Sequence, residues 1–358
     1  MASLLSVVLL PIFVLLLTGC ASSIPDAKPF GAATITIRDA TRQHFRETIA
    51  VAKGVHQVIS EIQIAGPDDK GREMQTAKYE EATSYLTELE NVRLVALNGL
   101  VDYSRALVNT AEAGREKVQQ IKATAEAAGT LISKVGEEIP AVTGAAAPLV
   151  AEGLQLFRDA AQRALVAYRI NRTNKDLLEK LNANAVAVDQ VAEALAKDLT
   201  KLSDVLTTLE EAAAVQIRYA PSPRALREAM GALVERRKAL AKQRKGAGTQ
   251  SATAAQPATE PDLAEIVNVE SQIAIVEMNL APYVEQEADT RRSIQLAAQA
   301  VLSTRDSIAA WRKAHEDLRL AIIENSRLST EELLAAAEQV KADAERFRAF
   351  RDKVRDVR

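Results

Sequence analysis

Two long stretches without proline limit what this chain of 358 residues can fold into. One lies between Pro67 and Pro140 and the other between Pro148 and Pro221, and each is 72 residues long. Proline breaks helix interiors, so its absence over such lengths favours helices far longer than the average of about a dozen residues. Glycine and proline are few, with 14 and 11 residues, which argues against a turn-rich β architecture. The sequence therefore predicts an all-α fold.

The second stretch carries the most regular apolar pattern in the chain. Its apolar residues recur at steps of three and four: Leu178, Leu181, Ala185, Val188, Ala192, Leu195, Leu199, Leu202, Leu206, Leu209 and Ala213. Such a seam is typical of helices that pack along one another in coiled-coil fashion. The first stretch has a similar, interrupted seam that contains one polar residue, Arg93. Both stretches are predicted to be long helices that need a packing partner.

The two stretches match each other when the chain is reflected about Gly144. We therefore expect a long antiparallel coiled-coil-like hairpin with arms at about 70–138 and 149–218. Polar residues at 112–117 and 171–175 interrupt both seams at the same level and predict a hydrated or hinged waist. The complete fold is expected to be an elongated bundle of about six helices.

Composition divides the rest of the chain. Residues 20–38 are predicted to be a tether, with a short extended segment at 34–37, and 39–245 the first part of the bundle with its hairpin. Residues 246–261 consist of small and polar residues and predict a flexible linker. Residues 262–358 are predicted to be C-terminal helices that pack on the same bundle.

The N-terminus carries a short apolar run from Leu4 to Leu17, followed by Leu17, Thr18, Gly19 and Cys20. This tetrapeptide resembles the lipobox of bacterial lipoproteins. The resemblance implies that residues 1–19 are a signal peptide and that Cys20, the only cysteine, carries a covalent lipid and anchors the chain to a membrane. Ala21 after it suggests the outer membrane, facing the periplasm. The alternative is an ordinary secretory signal followed by an unrelated cysteine.

Little in the sequence supports catalysis or a bound cofactor. The chain has three histidines, one cysteine and one tryptophan, and no phosphate-binding glycine loop or nucleophile motif appears. His44 and His56 are predicted to be surface or boundary residues. His315 lies on an apolar seam and is predicted to be a core histidine with a hydrogen-bond partner, with a pH-sensitive contact as the alternative. We expect neither an enzyme nor a metal site, and no cofactor besides the lipid on Cys20.

One basic segment is a candidate contact surface. Residues 224–245 contain two acidic and eight basic residues, and the basic ones are Arg224, Arg227, Arg236, Arg237, Lys238, Lys242, Arg244 and Lys245. Anionic lipid head groups or cell-wall polymers would complement these charges in a cell envelope. The alternative is a solvated helix face. We expect no nucleic-acid partner, because the chain as a whole has a net charge of −3 and its N-terminus predicts a location in the cell envelope.

These features predict a lipid-anchored cell-envelope protein that acts as a non-catalytic, elongated helical scaffold or protein-interaction module. Its expected partners are the membrane and an envelope protein or the cell wall, and its oligomeric state is open. The alternative is a membrane-active protein, similar in outline to helical pore-forming toxins. In that case the uncharged tip at 139–150 would enter the bilayer.

Overall fold

A computed structural model describes residues 26–62, 70–113, 117–139, 148–172, 176–250, 263–324 and 328–357. These residues form nine helical segments, of which the second and third are separated by Leu89 alone. In chain order they are α1 (Lys28–Ile62), α2 (Lys70–Glu88), α3 (Glu90–Glu112), α4 (Lys117–Glu138), α5 (Pro148–Arg172), α6 (Leu177–Tyr219), α7 (Pro221–Gln250), α8 (Leu263–Glu324) and α9 (Glu331–Val357). Within the described ranges there is no strand, so the all-α prediction is confirmed.

Helix α6 lies at the centre of the bundle. It packs against α8, α5, α2 and α4 and has smaller contacts with α1 and α3. Ten of the eleven residues of its predicted seam are buried, and only Leu178 in the first turn is exposed, so the seam identified the correct face. Ala187, Val191, Ala194 and Ala212 on other sides of α6 are also buried. A helix that is apolar on several sides is one that neighbours enclose.

The predicted hairpin arm at 70–138 is not one continuous helix. The chain reverses between α3 and α4, which pack antiparallel, and the hydroxyls of Thr110 and Thr124 lie 2.8 Å apart across them. A Cβ at Gly99 would come within 2.3 Å of the Leu131 side chain, so this glycine permits the close approach of the two helices. The polar residues at 112–117 cannot enter an apolar seam, and they end a helix instead of forming a waist.

The second predicted arm, 149–218, also divides at its polar segment. Helices α5 and α6 pack against each other, and Lys201 forms an ion pair with Glu152 across them. Asp176 caps α6, because its carboxylate accepts hydrogen bonds from the amides of Leu178 and Glu179. Both breaks raise the number of helical segments above the six that we expected.

The longest antiparallel pairing joins α8 to α6 and α7. Ion pairs mark its register from end to end: Arg312 with Asp189 at 2.7 Å, Arg291 with Glu210 at 3.4 Å, Arg218 with Glu287 at 2.5 Å and Arg236 with Glu265 at 2.7 Å. Helix α8 has 62 residues, which corresponds to a length on the order of 90 Å. The longest partner of the predicted seam is therefore α8, and residues 70–138 pack on α6 only through shorter helices, chiefly α2 and α4.

The predicted tether is shorter than 20–38, because α1 begins at Lys28. Phe30, Ala33 and Ile37 are buried on one face, and the Phe30 ring lies 5.7 Å from that of Trp311. Residues 34–37 are helical and not extended, since apolar contacts outweigh a short alternating pattern. The Thr34 hydroxyl donates to the carbonyl of Phe30 within the helix, at 2.8 Å.

The predicted linker at 246–261 begins later than expected. Helix α7 continues through Gln250, and residues 251–262 lie outside the described residues. The segment joins two antiparallel helices, α7 and α8, that pack on each other. Helix α9 then packs on α8 and α1, and the hydroxyl of Ser307 donates to the carbonyl of Ala336 at 2.9 Å.

Arg93, the polar residue of the first seam, forms a buried ion pair with Asp198 of α6. The Nε–Oδ2 distance is 2.6 Å, and the two side chains are 1% and 0% exposed. The Tyr85 hydroxyl donates to Asp198 at 2.7 Å, and Arg93 also donates to the carbonyls of Tyr85 and Leu86. Burial, reinforced by Asp198, raises the pKa of Tyr85, so its hydroxyl remains a donor. Three helical segments thus meet at one fully paired charge.

Two histidines are buried in the bundle. His315 is the predicted core histidine: its Nε2 lies 3.0 Å from the hydroxyl of Tyr103, and its ring stacks on Trp311. His44 is also buried, which corrects the prediction of a surface or boundary position. Its Nδ1 lies 3.3 Å from the Thr304 hydroxyl, because α1 turns this face towards α8. The side chain of His56 lies outside the described residues.

We predict that Arg93→Met lowers the free energy of unfolding by about 3–5 kcal/mol, because Asp198 would stay buried without its partner. Adding Asp198→Asn should recover most of this loss, since the amide oxygen still accepts from Tyr85. Urea unfolding measures both variants. Arg105→Met is the control, because Arg105 is 57% exposed and forms an ion pair with its helix neighbour Asp102. Equal losses in Arg93→Met and Arg105→Met would contradict the prediction.

We predict that the protein loses stability as pH falls from about 6.5 towards about 4. Burial lowers the pKa of His44 and of His315 to about 4 in the folded chain, from 6.5. The unfolded chain therefore binds more protons in this window, and each histidine contributes a loss of up to about 3 kcal/mol. Urea unfolding between about pH 5 and 6.5 measures it while carboxylates stay ionised. His315→Gln should remove about half of the slope, and an unchanged slope would contradict this account.

Candidate interaction surface

Helix α7 and residues 263–289 of α8 form a two-helix projection that we call the arm. Helix α7 begins after Ala220, where Pro221 and Pro223 follow the end of α6. It packs on α8 and has a smaller contact with α6. Because the arm is two helices thick, most of its residues contact solvent on one side or another.

The arm has a small apolar core. Only Val269 and Ile273 are buried among residues 263–289, and they meet Leu240 of α7. Three partly buried residues complete this cluster: Met230, Leu233 and Ile266. These six side chains are separate from the main core of the molecule. A pair of helices can enclose only one stripe of each, so the other faces remain open.

Ion pairs join the arm to itself and to the bundle. Arg236 pairs with Glu265 across the two helices at 2.7 Å. At the base of the arm, Glu287 forms ion pairs with Arg218 at 2.5 Å and with Arg227 at 3.7 Å. These contacts hold α7 and α8 in register, although the exposed pairs contribute little to stability individually.

The structure places all eight predicted basic residues on α7. Arg224 and Lys238 form ion pairs with Glu228 and Glu235 within the helix, and Arg227 and Arg236 belong to the pairs described above. The other four are Arg237, Lys242, Arg244 and Lys245, of which the first three are exposed and Lys245 lies in the last turns of α7. Half of the predicted patch therefore has an acidic neighbour, and the exposed remainder is concentrated towards the end of the helix.

An exposed apolar stripe on α8 is the feature that sequence reasoning missed. Leu263, Val267, Ile275 and Met278 are 65%, 60%, 53% and 68% exposed. Together with Val284, they are five of the ten large apolar side chains that stand exposed among the described residues. The four fall within about 120° of one another around α8, and Leu263, Val267 and Met278 lie on the side away from α7. We call these four residues the α8 stripe.

The sequence pattern contained a signal for this stripe. Leu263 begins an apolar pattern that continues through Ile266 and Ile273, but the structure exposes Leu263 while the other two pack in the core of the arm. Leu263, Val267, Ile275 and Met278 follow each other at steps of four, eight and three, which is a second helical periodicity beside the first. A helix with two apolar faces needs a partner on each.

A shallow apolar groove lies beside the stripe, between the two helices of the arm. Its volume is about 430 Å³, and its lining is formed by Ala229, Ala232, Leu233, Gln272, Ile275 and Val276. Ile275 belongs to both the groove and the stripe, so one continuous apolar region extends across the arm. Exposed apolar regions of this kind are typical of surfaces that bind other molecules.

The other predicted sites fall at the edge of the described chain or beyond it. Leu17, Thr18, Gly19 and Cys20 lie outside the described residues, as do 140–147 of the tip. The two ends of the tip, Ile139 and Val150, are buried against the bundle.

None of the described helices is long and apolar enough to cross a bilayer. In the same part of the chain, no three His, Cys, Asp or Glu side chains cluster as a metal ion would require.

Comparison with known proteins assigns no family. No family model matches the chain, and no curated protein and no solved structure matches it. The function must therefore be argued from the arm, the bundle and the N-terminal motif.

Proposed function

We propose that this chain is a lipid-anchored protein of the bacterial cell envelope that acts as a helical scaffold or protein-interaction module without catalysis. The observation that carries the interaction role is the arm, which presents four large apolar side chains to solvent on a two-helix projection. The anchor rests on the lipobox-like residues ending in Cys20. The outer membrane, facing the periplasm, is the location that Ala21 favours.

The bundle and the arm suit different roles for physical reasons. The bundle buries its charges in pairs and its histidines in contact with hydroxyls, which makes it a rigid support. The arm has a thin core and an open apolar face, which makes it the part suited to docking. The exposed basic residues of α7 add a surface for anionic polymers or lipid head groups.

We predict that the anchor depends on Cys20 and on its position. In cells fed a palmitate analogue, the chain should be labelled, whereas Cys20→Ser should not be. The double variant Cys20→Ser/Ser22→Cys keeps one cysteine but moves it two residues, and it should also remain unlabelled. Gel fluorescence measures the label. Labelling of either variant would contradict the proposed lipidation.

We predict that the arm is the part of the surface that meets partners. A photo-cross-linking residue at Ile275 should give covalent adducts in the envelope, because this side chain is 53% exposed on an apolar region. The matched control is Val186 on α6, which is 55% exposed outside the arm. Equal adduct yields at both positions, or none at Ile275, would contradict the proposal.

A membrane-active role for the tip at 139–150 is the competing proposal. It requires that the chain releases dye from liposomes and that Ala146→Asp abolishes the release. Release of this kind would replace the scaffold role, and intact liposomes would leave the scaffold role as the proposal.

A further inference from the structure

The α8 stripe is symmetric along its helix. Val267 and Ile275 each lie four residues from Ser271, and Leu263 and Met278 lie eight and seven residues from it. An antiparallel copy of the same helix would therefore place Leu263 against Met278 and Val267 against Ile275. Ser271 is exposed and small, and at the centre of the contact it permits a close approach of the two backbones.

We propose that a second copy of this chain docks on the α8 stripe, with the two arms antiparallel about a two-fold axis near Ser271. Such a contact is isologous: each copy uses the same patch, and the assembly closes at two chains. The dimer covers all four exposed apolar side chains of each copy. This inference identifies a partner for the arm and stands independently of the proposed lipid anchor.

Charge complementarity along the arm supports the same arrangement. Glu285 and Asp289 continue the face of the stripe towards the base of the arm, seven and eleven residues after Met278. Lys242 and Arg244 are exposed near the opposite end of the arm, because Arg236, which precedes them on α7, is already level with Glu265 near the start of α8. Antiparallel arms bring Lys242 and Arg244 of one copy level with Glu285 and Asp289 of the other. A parallel pair would instead place like charges together.

The size of the contact sets its strength. The stripe spans about 23 Å between Leu263 and Met278, and a stable complex buries about 800 Å² per partner. One helix pair of that length falls short of this area unless the adjoining groove also contributes. The dimer is therefore expected to be reversible and to depend on concentration. Chains held on one membrane would raise their effective concentration and favour it.

One residue opposes the contact in a way that only self-association predicts. Glu270 flanks the stripe next to Ser271, so the two-fold axis brings it near Glu270 of the second copy. Removing this charge with Glu270→Gln should strengthen the dimer. A helix of a different protein, bound to the stripe, would have no reason to place an acidic residue opposite Glu270.

Sedimentation velocity tests the proposal on the chain beginning at Ala21, which retains every described residue and has no cysteine. We expect the weight-average mass to rise with concentration towards two copies. Val267→Glu should weaken the dimer at least about tenfold, because it would bury an unpaired charge. Val166→Glu is the matched control, with a valine of similar exposure on α5: 57% against 60%. Its dimer should be unchanged, and thermal unfolding should stay the same for both variants.

Cross-linking tests the geometry. Ser271→Cys should form a disulfide-linked dimer under mild oxidation, whereas Ser133→Cys, exposed on α4, should not.

Four results would overturn the proposal. They are a monomer at all concentrations, equal effects of Val267→Glu and Val166→Glu, a weaker dimer with Glu270→Gln, and cross-linking at Ser133 but not at Ser271. If the chain is monomeric while the arm still gives adducts in the envelope, a different partner covers the stripe and the proposed function survives.

Discussion

The enclosure of α6 by its neighbours is the constraint on which the rest of the structure depends. A helix surrounded on several sides must be apolar on several sides, and α6 meets this with leucines, valines and many alanines. Alanine allows neighbouring backbones to approach closely, which explains why a chain with 4% aromatic residues forms a dense core. Its buried charge, Asp198, remains because Arg93 and Tyr85 satisfy it.

The antiparallel pairing of α8 with α6 and α7 produces the arm. Helix α8 is longer than the bundle beside it, so its first half extends with α7 as its main neighbour. Two helices bury one stripe on each, and the second apolar stripe of α8 is left in solvent. The same geometry therefore creates both a well-packed body and a projection with an exposed apolar face. Ion pairs along this pairing, from Arg312 with Asp189 to Arg236 with Glu265, keep the body and the arm in one register.

The buried histidines belong to the body and connect its helices. His44 links α1 to α8 through Thr304, and His315 links α8 to α3 through Tyr103. Both are uncharged at neutral pH because burial disfavours the imidazolium. They act as packing and hydrogen-bonding groups within the body.

Local pattern was sufficient for the all-α class, the buried face of α6, the helical basic segment and the core position of His315, since each follows from helical periodicity within one element. Local pattern was not sufficient to predict which helices pair with each other. The seams at 70–138 and 149–218 match each other in sequence, but seams built from alanine, leucine and valine are compatible with many partners. Tertiary packing selected α8 for α6, turned both polar interruptions into chain reversals and buried His44. The exposed α8 stripe likewise has the residue types of a core, and only the position of α7 decides which of its two faces meets solvent.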